Sequence, residues 1–380
     1  MSRQSGGPSQ AILPMCRALR DKGVDVLLAT TDSGINGSPA LERITSYQGL
    51  PVIFFRKQLG ASFKYSRPFS LWLDKNVASY DLLHIHAVFN HACIAAARAS
   101  RVNRVPYIVR PLGTLDPWSM RQKSLRKGVF WHAGIKRMLT KAAGIHYTAK
   151  GEQETVEQSL KLNHGIVVPL GIETRATERP KAETDSSGQF GWLREHPYIL
   201  VLSRLLPTKG LDILLDAFLS LIKCKEFQSW RLVLAGEGPA GYVESLKRRA
   251  SELRAGDRVV FPGWLDGEKK EAALMNASLL ALPSHHENFG LCVMESLAYG
   301  VPVLISPHVN LAPDVEIAGA GWVAAVRRDS LEAALAEALG SARERQKRGE
   351  AGRNLALNFA WPVIAGRLCD AYRTVLAAKN

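Results

Sequence analysis

Two glutamates, Glu287 and Glu295, stand eight residues apart around the segment 288–291. An apolar run at 279–282 precedes them and Gly300 follows them, so the pattern predicts a strand, a tight turn and a short helix. The first amides of such a helix are unpaired and lie at its positive dipole end, which favours phosphate binding. Because a carboxylate beside that site could bind hydroxyl groups, the stretch suits a ligand that carries both groups, such as a nucleotide sugar.

The same two glutamates also fit a purely structural interpretation. Glu287 would then be a solvated acid in the first turn of the helix, and Glu295 would be a residue on the helix surface. The stretch alone does not decide between these alternatives.

A second candidate is the pair Arg204 and Lys209 in the stretch 203–210, which follows an apolar run and opens a helical pattern. Arginine offers a planar fork of donors and lysine a mobile point charge. Together they could neutralise a diphosphate, including the charge that develops on it as a leaving group. The alternative is a solvated loop with two unrelated cations. The predicted position at the carboxyl end of a strand favours the binding site.

The turns after the next two strands carry weaker signals. The sequence Gly-Glu-Gly-Pro at 236–239 is a turn found in many α/β proteins. Trp264 follows Gly263 and could help to form a pocket for a nucleotide base. A tryptophan at such a position is more often a core residue.

The composition is that of a soluble globular protein large enough for two domains, with 380 residues, 46% hydrophobic and 22% charged. No apolar run approaches the ~20 residues that a membrane-spanning helix needs. The five scattered cysteines lack metal-ligand spacing, so we expect reduced cysteines and a cytoplasmic protein. The net charge of +14 requires an anionic partner, for which nucleic acid, anionic lipid and an anionic substrate are candidates.

Positive charge concentrates in one segment, residues 119–141. Seven Lys and Arg residues lie between Arg121 and Lys141, interleaved with apolar residues such as Phe130 and Trp131. Such a stretch could form a helix that lies on an anionic membrane surface. The alternative is a partly buried helix with a solvated basic face. Nucleic-acid binding is the weakest option, because no aromatic stacking platform accompanies the charge.

Strand and helix patterns alternate in both halves of the chain, which predicts an α/β fold with two doubly wound parallel sheets. We expect an N-terminal Rossmann-like domain over 1–173, a polar linker over 174–197 and a C-terminal Rossmann-like domain over 198–360. The segment 361–380 has helical spacing and is expected to dock back on the first domain.

The beginning of the first domain is unusual. A doubly wound domain usually opens with a strand that leads into a Gly-rich loop, yet here only five residues precede Gly6-Gly7. We therefore expect the first strand to be missing and a central slot, which residues 1–5 cannot fill, to remain in the sheet.

The motifs described above occur in one order: SRLLPTKG at 203–210, LVLAGEGP at 232–239, VVFPGWL at 259–265 and LLALPSHHENFGLCVMESLAYGVPVL at 279–304. With a terminal helix at Trp361, the chain resembles glycosyltransferase family 4, the retaining enzymes of the GT-B fold. The resemblance covers nearly the whole chain and is strongest over 198–305. It implies two Rossmann-like domains with a nucleotide sugar in the cleft between them. It also implies that no metal is needed, which agrees with the lack of an Asp-x-Asp motif in the sequence.

The resemblance implies roles for individual residues. Glu287 would bind hydroxyls of the donor sugar, and Arg204 and Lys209 would bind the diphosphate; these three are the catalytic candidates. Glu295 would bind the ribose. The expected nucleotide-sugar-binding residues are Gly7, Arg110, Trp264, Asn288, Phe289, Gly290, Leu291 and Glu295.

Two positions depart from the family pattern. Many members carry a His near the donor sugar where this chain has Arg110, and an Asn in the inter-domain connector where it has Leu170. An arginine cannot act as a neutral acceptor. These changes remain compatible with transfer but leave the sugar and the acceptor open.

We predict a retaining, metal-independent hexosyltransferase of polysaccharide or lipopolysaccharide biosynthesis. It would use a UDP- or GDP-sugar as donor and no other cofactor, with a saccharide or lipid-linked saccharide as acceptor. The alternatives are a non-catalytic sugar-nucleotide-binding remnant of the fold and a nucleotide-sugar 2-epimerase of the same fold. The expected location is the cytoplasm, with peripheral attachment to the inner face of the cell membrane through 119–141.

Overall fold

The computed structural model of the chain describes residues 11–35, 39–60, 63–121, 124–173, 196–252 and 255–378. The chain divides into two units. Unit 1 comprises Met1–Gly171 together with Trp361–Asn380, and unit 2 comprises Ile172–Ala360.

The strands and helices of unit 1 are numbered in chain order. Within the described ranges, its strands are β1 (Leu28–Thr31), β2 (Ile44–Tyr47), β3 (Leu50–Phe55), β4 (Leu83–His86), β5 (Tyr107–Arg110), β6 (Gly144–Tyr147) and β7 (Gly165–Val167). Its helices in the same ranges are α1 (Ile12–Asp21), α2 (Arg67–Asn76), α3 (His91–Val102), α4 (Pro117–Arg121), α5 (Ser124–Phe130), α6 (Lys136–Thr140), α7 (Lys150–Leu160) and the C-terminal α15 (Trp361–Ala377).

The strands of unit 1 form two separate sheets, with the orders β2-β3-β1 and β4-β5-β6-β7. All neighbours are parallel except β2, which runs antiparallel to β3. The β2–β3 hairpin turns at Gln48 and Gly49, which both have positive φ, 50° and 79°. Two consecutive residues with positive φ are typical of the tight turn that matches the twist of a hairpin.

A cavity of about 340 Å³ lies between β1 and β4, in the place where we expect a central slot. The residues expected to leave that slot unfilled, 1–5, lie outside the described part of the chain. The expectation of a missing first strand therefore stays a prediction.

The C-terminal helix α15 belongs to unit 1. Trp361 packs so tightly on Gly171 that a Cβ added there would lie 2.3 Å from the indole ring. Near the other end of the helix, the hydroxyl of Tyr372 lies 2.7 Å from Nδ1 of His84 in β4. These contacts hold α15 against unit 1, although almost 200 residues separate the helix from β7, the last strand of that unit.

Within the basic segment 119–141, the structure favours a partly buried arrangement. The apolar residues of the segment pack on the core of unit 1, and they include Phe130, Trp131, Ile135, Met138 and Leu139. The cations Lys136, Arg137 and Lys141 remain exposed. Phe130 and Trp131 are partly buried against the core, so these two residues fit the predicted alternative of a partly buried helix with a solvated basic face. None of the helices in the described ranges is long and apolar enough to cross a membrane.

Unit 2 continues the numbering. Its strands within the described ranges are β8 (Tyr198–Leu202), β9 (Arg231–Ala235), β10 (Val259–Gly263), β11 (Leu279–Leu282), β12 (Val303–Ile305) and β13 (Gly321–Val323). Its helices there are α8 (Leu211–Leu221), α9 (Ala240–Glu252), α10 (Gly267–Asn276), α11 (Leu291–Ala298), α12 (Ala312–Ala318), α13 (Arg328–Gly340) and α14 (Ala342–Leu357).

The six strands of unit 2 form one parallel sheet in the order β10-β9-β8-β11-β12-β13. The chain runs outward from β8 to β10 and then returns to β11 on the other side of β8. Parallel strands with helices on both faces are buried on both sides, and all four residues of β11 are fully buried. The predicted doubly wound α/β sheet is confirmed, and its order reverses between β8 and β11. In such sheets ligands bind beyond the carboxyl ends of the strands at the point of reversal.

Candidate functional site

Two loops meet beyond the carboxyl ends of β8 and β11, residues 203–210 and 283–290. The amide of His285 donates a hydrogen bond to the carbonyl of Thr208 at 2.9 Å. Gly210 has a φ of 63°, and a Cβ added there would lie 2.4 Å from the carbonyl oxygen of Pro283. Only glycine therefore fits at 210, and the two loops form one continuous surface at the point of reversal.

Lys209 and Glu287 form an ion pair on this surface. Nζ of Lys209 lies 2.5 Å from Oε2 of Glu287, although the two residues are 78 positions apart in the sequence. Their side chains are only 11% and 22% exposed. A charge at this depth needs a partner, so each residue holds the other in place. The structure thus brings together two of the three predicted catalytic residues.

The backbone of Glu287 is held by the loop that follows β12. Its amide donates to the carbonyl of His308 at 3.1 Å, and its carbonyl accepts from the amide of Asn310 at 3.2 Å. The side-chain amide of Asn310 also donates to the carbonyl of Asn288 at 3.0 Å. These hydrogen bonds from the loop after β12 fix the backbone at Glu287 and Asn288, and so they hold the Glu287 carboxylate in position.

The predicted helix entry at 288–291 is confirmed as the start of α11. Gly290 has a φ of 79°, and no side chain caps the helix end that follows it. Phe289 is buried beneath the turn and Leu291 begins the helix. Orphan amides at an uncapped helix start attract anions, and this start directly follows the Glu287 carboxylate.

Glu295 lies one turn further along α11 and forms a second ion pair. Its Oε1 accepts a hydrogen bond from Nζ of Lys270 in α10 at 2.6 Å, and both side chains are about a quarter exposed. One oxygen of the Glu295 carboxylate is thereby oriented by Lys270. The motif spacing did not indicate Lys270, because nothing in the pattern of α10 shows which of its lysines faces α11.

Arg204 differs from Lys209 in the same loop, because its side chain is exposed and its guanidinium forms no hydrogen bond or ion pair with the described residues. Its neighbour Leu205 is buried and donates its amide to the carbonyl of Glu237 at 2.8 Å. Gly238 packs on the Leu205 carbonyl so closely that a Cβ there would lie 1.9 Å from that oxygen. The Gly-Glu-Gly turn thus supports the Arg204 loop and leaves the guanidinium available for a ligand.

Cys292 sits on α11 between the two glutamates. Burial, with the carboxylates of Glu287 and Glu295, raises the pKa of its thiol to about 12. The thiol is therefore protonated at neutral pH and is not a nucleophile.

Trp264 follows β10, which β9 separates from β8 in the sheet. It is half-buried, and its indole Nε1 is buried without a hydrogen-bond partner in the part of the chain that the structure describes. A contact between Trp264 and a nucleotide base stays a prediction.

The remaining predicted residues belong to unit 1. Gly7 lies outside the described residues. Arg110 ends strand β5, and it is fully buried. Its Nη1 lies 3.8 Å from Sδ of Met15, and burial lowers the pKa of the guanidinium to about 10. A contact between Arg110 and a donor sugar stays a prediction.

Comparison with known proteins identifies the family. Residues 183–355 match the family "Glycosyl transferases group 1", and residues 6–171 match the family "Glycosyl transferase 4-like domain". The chain belongs to the group 1 glycosyltransferases. The resemblance to family 4 is thereby confirmed over both units.

Three curated relatives of this glycosyltransferase differ in the activity that their names give. The chain is 30% identical over 235 residues to the GDP-mannose-dependent alpha-(1-6)-phosphatidylinositol monomannoside mannosyltransferase of Mycolicibacterium smegmatis, and the match covers 59% of each chain. It is 32% identical over 150 residues to the alpha-monoglucosyldiacylglycerol synthase of Streptococcus pneumoniae, covering 38% of this chain and 33% of the relative. It is 28% identical over 208 residues to the D-inositol 3-phosphate glycosyltransferase of Corynebacterium efficiens, covering 54% and 48%. The matches thus span less than two thirds of each relative.

Solved structures resemble the glycosyltransferase over nearly its whole length. HepE of Anabaena, in complex with UDP-glucose, has a TM-score of 0.75 at 18% identity, with 98% of both chains covered. WaaG, a glycosyltransferase involved in lipopolysaccharide biosynthesis, has a TM-score of 0.72 at 15% identity, covering 97% of this chain and 96% of the other. At these identities the likeness shows the fold, and the predicted GT-B fold is confirmed.

Proposed function

We propose that the chain transfers a hexose from a nucleoside-diphosphate sugar to a saccharide or lipid-linked saccharide, with retention of the anomeric configuration. The ion pair between Lys209 and Glu287 beside the uncapped start of α11 carries this proposal. It combines a cation, a carboxylate and anion-binding amides on one surface at the reversal point of a parallel sheet.

The donor would be bound through both of its polar parts. Its diphosphate would accept hydrogen bonds from the amides at 289–291 and would be neutralised by Lys209 and the exposed guanidinium of Arg204. Glu287 would accept hydrogen bonds from sugar hydroxyls, and Glu295, oriented by Lys270, would accept them from the ribose. A UDP- or GDP-sugar is supported by HepE, which was solved with UDP-glucose, and by the GDP-mannose-dependent relative.

Transfer would then proceed on one face of the sugar. The bond between the anomeric carbon and the β-phosphate oxygen breaks, and a bond between that carbon and the acceptor oxygen forms on the same face. The proton of the acceptor hydroxyl passes to the leaving phosphate. Arg204 and Lys209 stabilise the charge that grows on the diphosphate, so neither a separate general base nor a metal ion is required.

We place this reaction in polysaccharide or lipopolysaccharide assembly, on the inner face of a cell membrane. Two relatives carry a lipid in their names, a phosphatidylinositol mannoside and a glucosyldiacylglycerol. The exposed cations of 119–141, among them Lys136 and Arg137, would attract anionic headgroups, each contributing about 1 kcal/mol. The protein should sediment with phosphatidylserine-containing vesicles at low salt and less at high salt. Failure to sediment at low salt would remove the membrane part of the proposal.

The catalytic proposal is tested with a panel of UDP- and GDP-sugars in two steps. A thermal shift first finds the donor, because a ligand that binds only the folded state raises Tm. Release of the nucleoside diphosphate is then measured with and without saccharide acceptors. Acceptor-dependent release supports transfer, whereas donor binding without release would identify a non-catalytic binder.

A further inference from the structure

Asn310 contacts the turn at Glu287 through two separate donors. Its backbone amide donates to the carbonyl of Glu287 at 3.2 Å, and its side-chain Nδ2 donates to the carbonyl of Asn288 at 3.0 Å. One residue therefore holds the carbonyls of two successive peptide groups. Asn310 is half-buried, which limits competition from water for these hydrogen bonds.

The loop that carries these donors, residues 306–310, is itself anchored to the sheet. Oγ of Ser306 donates to the carbonyl of Ser284 at 2.5 Å and accepts from the amide of His308 at 3.3 Å. Ser306 and Val309 are both fully buried. The loop therefore provides a fixed support for the turn that follows β11.

The hydrogen bond to the carbonyl of Asn288 also sets the direction of the next amide. A trans peptide group is planar and its N–H points opposite to its C=O, and the described chain contains no cis peptide bond. Because the carbonyl of Asn288 is directed at Asn310, the N–H of Phe289 is directed away from it. In the sheet, β11 lies between β12 and β8, so the side away from the 306–310 loop is the side of the loop that carries Lys209.

The amide of Phe289 is one of the donors that precede α11. It has no acceptor within the part of the chain that the structure describes, as expected for the residues at an uncapped helix start. The ring of Phe289 is buried, so packing opposes rotation of this backbone. An oriented donor of this kind binds an anion without first having to be ordered.

We propose that Asn310 is a positioning residue for the donor diphosphate, because its side chain aims the Phe289 amide at a phosphate oxygen. This role rests on the donor binding proposed above. Asn310 itself contacts no part of the ligand in this account. Removing its side-chain donor should therefore weaken diphosphate binding, although every group that contacts the ligand is still present.

The first test is calorimetric titration of UDP and GDP into wild type, Asn310→Leu and Asn276→Leu, each well below its Tm. Asn276→Leu in α10 is the matched control, because Nδ2 of Asn276 also donates to a backbone carbonyl, that of Ala272 at 2.8 Å. For the nucleotide that wild type binds, Asn310→Leu should raise Kd about five- to tenfold, as expected for one weakened hydrogen bond to a charged group. Asn276→Leu should leave Kd unchanged.

The second test uses Asn310→Asp, which keeps the shape of the side chain and makes its donor depend on pH. The ionised carboxylate only accepts hydrogen bonds, whereas the protonated carboxyl has an O–H that can donate to the carbonyl of Asn288. The ratio of its Kd to that of wild type should be at least about fivefold at pH 8. An ordinary Asp pKa is about 3.9, so this ratio should shrink by at least about twofold at pH 4.5. For Asn310→Leu the ratio should be the same at both pH values, because leucine does not titrate.

The outcomes separate this role from the proposed function. If wild type binds neither UDP nor GDP, the proposed function fails and the role of Asn310 fails with it. If Arg204→Ala weakens binding but Asn310→Leu binds as wild type does, the role alone is overturned. Equal losses in Asn310→Leu and Asn276→Leu would also overturn it, and so would a ratio for Asn310→Asp that does not change with pH, since both would assign the effect to packing.

Discussion

Nζ of Lys209 and Oε2 of Glu287 lie 2.5 Å apart, and this ion pair joins the loops that follow two neighbouring strands of unit 2. The pair sits where the order of the strands reverses. Because both side chains are largely buried, the pair has a structural as well as a chemical role.

The structural role predicts a measurable coupling between the two residues. In a double-mutant cycle with Lys209→Met and Glu287→Gln, each single variant should lower the free energy of unfolding, and the coupling should be about 1–2 kcal/mol. Urea denaturation provides the values. The control is the exposed pair Arg327 and Asp329, whose side chains are 71% and 74% exposed and whose coupling should be close to zero. Equal coupling in the two cycles would contradict the structural role.

The ion pair between Lys270 and Glu295 predicts a change in donor affinity without a change in chemistry. Lys270→Met should release the Glu295 carboxylate and raise the donor KM about five- to tenfold, which corresponds to about 1 kcal/mol, the net contribution of one ordinary hydrogen bond. It should leave kcat within about twofold, because the ribose is remote from the reacting carbon. Steady-state kinetics with the donor identified above give both constants. The exposed Lys347→Met should change neither, and a fall in kcat at unchanged KM would exclude the proposed role.

The close approach of Gly210 to Pro283 predicts a strong penalty for a single methyl group. Gly210→Ala should lower the free energy of unfolding by about 1–3 kcal/mol, because φ is positive and the added Cβ meets a carbonyl oxygen. Gly241→Ala in α9 is the matched control, since nothing lies within 4 Å of its added Cβ, and it should be neutral or slightly stabilising. Calorimetric Tm values compare the two. A Gly210→Ala protein as stable as wild type would show that the two loops do not touch.

The buried histidines of unit 1 predict a loss of stability in acid. Burial, together with Arg110, lowers the pKa of His146 to about 3, whereas the unfolded chain has a His pKa of about 6.5. Between these values only the unfolded state binds the proton, so the free energy of unfolding falls as pH decreases from about 6.5 toward 3. The slope from this one group is at most about 1.4 kcal/mol per pH unit.

Urea denaturation between pH 7 and pH 4.5 measures that slope. His146→Gln should reduce this slope by up to the amount that corresponds to one bound proton. The control variant His132→Gln, at an exposed position, should leave the slope unchanged. His84 and His86 contribute in the same direction, because burial lowers the pKa of each. An unchanged slope in His146→Gln would place the acid sensitivity elsewhere.

Much of unit 2 could be predicted from the sequence, because its strands are short apolar runs and several of them end at or just before a glycine or a proline. Parallel strands share one carboxyl edge, which is why Arg204, Lys209 and Glu287 could be assigned to one surface from spacing alone. Lys270 could not be assigned to the site in this way. Which face of α10 is turned toward α11 depends on side-chain packing, and no sequence motif specifies that packing. In unit 1 the antiparallel strand β2 departs from the predicted parallel sheet, although the Gln48-Gly49 turn before an apolar run is a recognisable hairpin signal.

The basic segment shows a second limit of sequence reasoning. Its alternation of cations and apolar residues fits both a membrane-bound helix and a helix packed on a core. The burial of Ile135, Met138 and Leu139 decides in favour of packing for these side chains. Only tertiary contacts distinguish the two cases, since the periodicity is the same.

The proposal that the Lys209–Glu287 surface binds a nucleoside-diphosphate sugar is tested most directly by calorimetric titration of the identified donor into three proteins. The Arg204 side chain is exposed and its guanidinium has no partner in the described structure, so Arg204→Ala should keep the wild-type Tm and yet weaken donor binding at least tenfold. The control Arg343→Ala, also exposed, should bind the donor as wild type does. Equal donor affinity in wild type, Arg204→Ala and Arg343→Ala would contradict the proposed site.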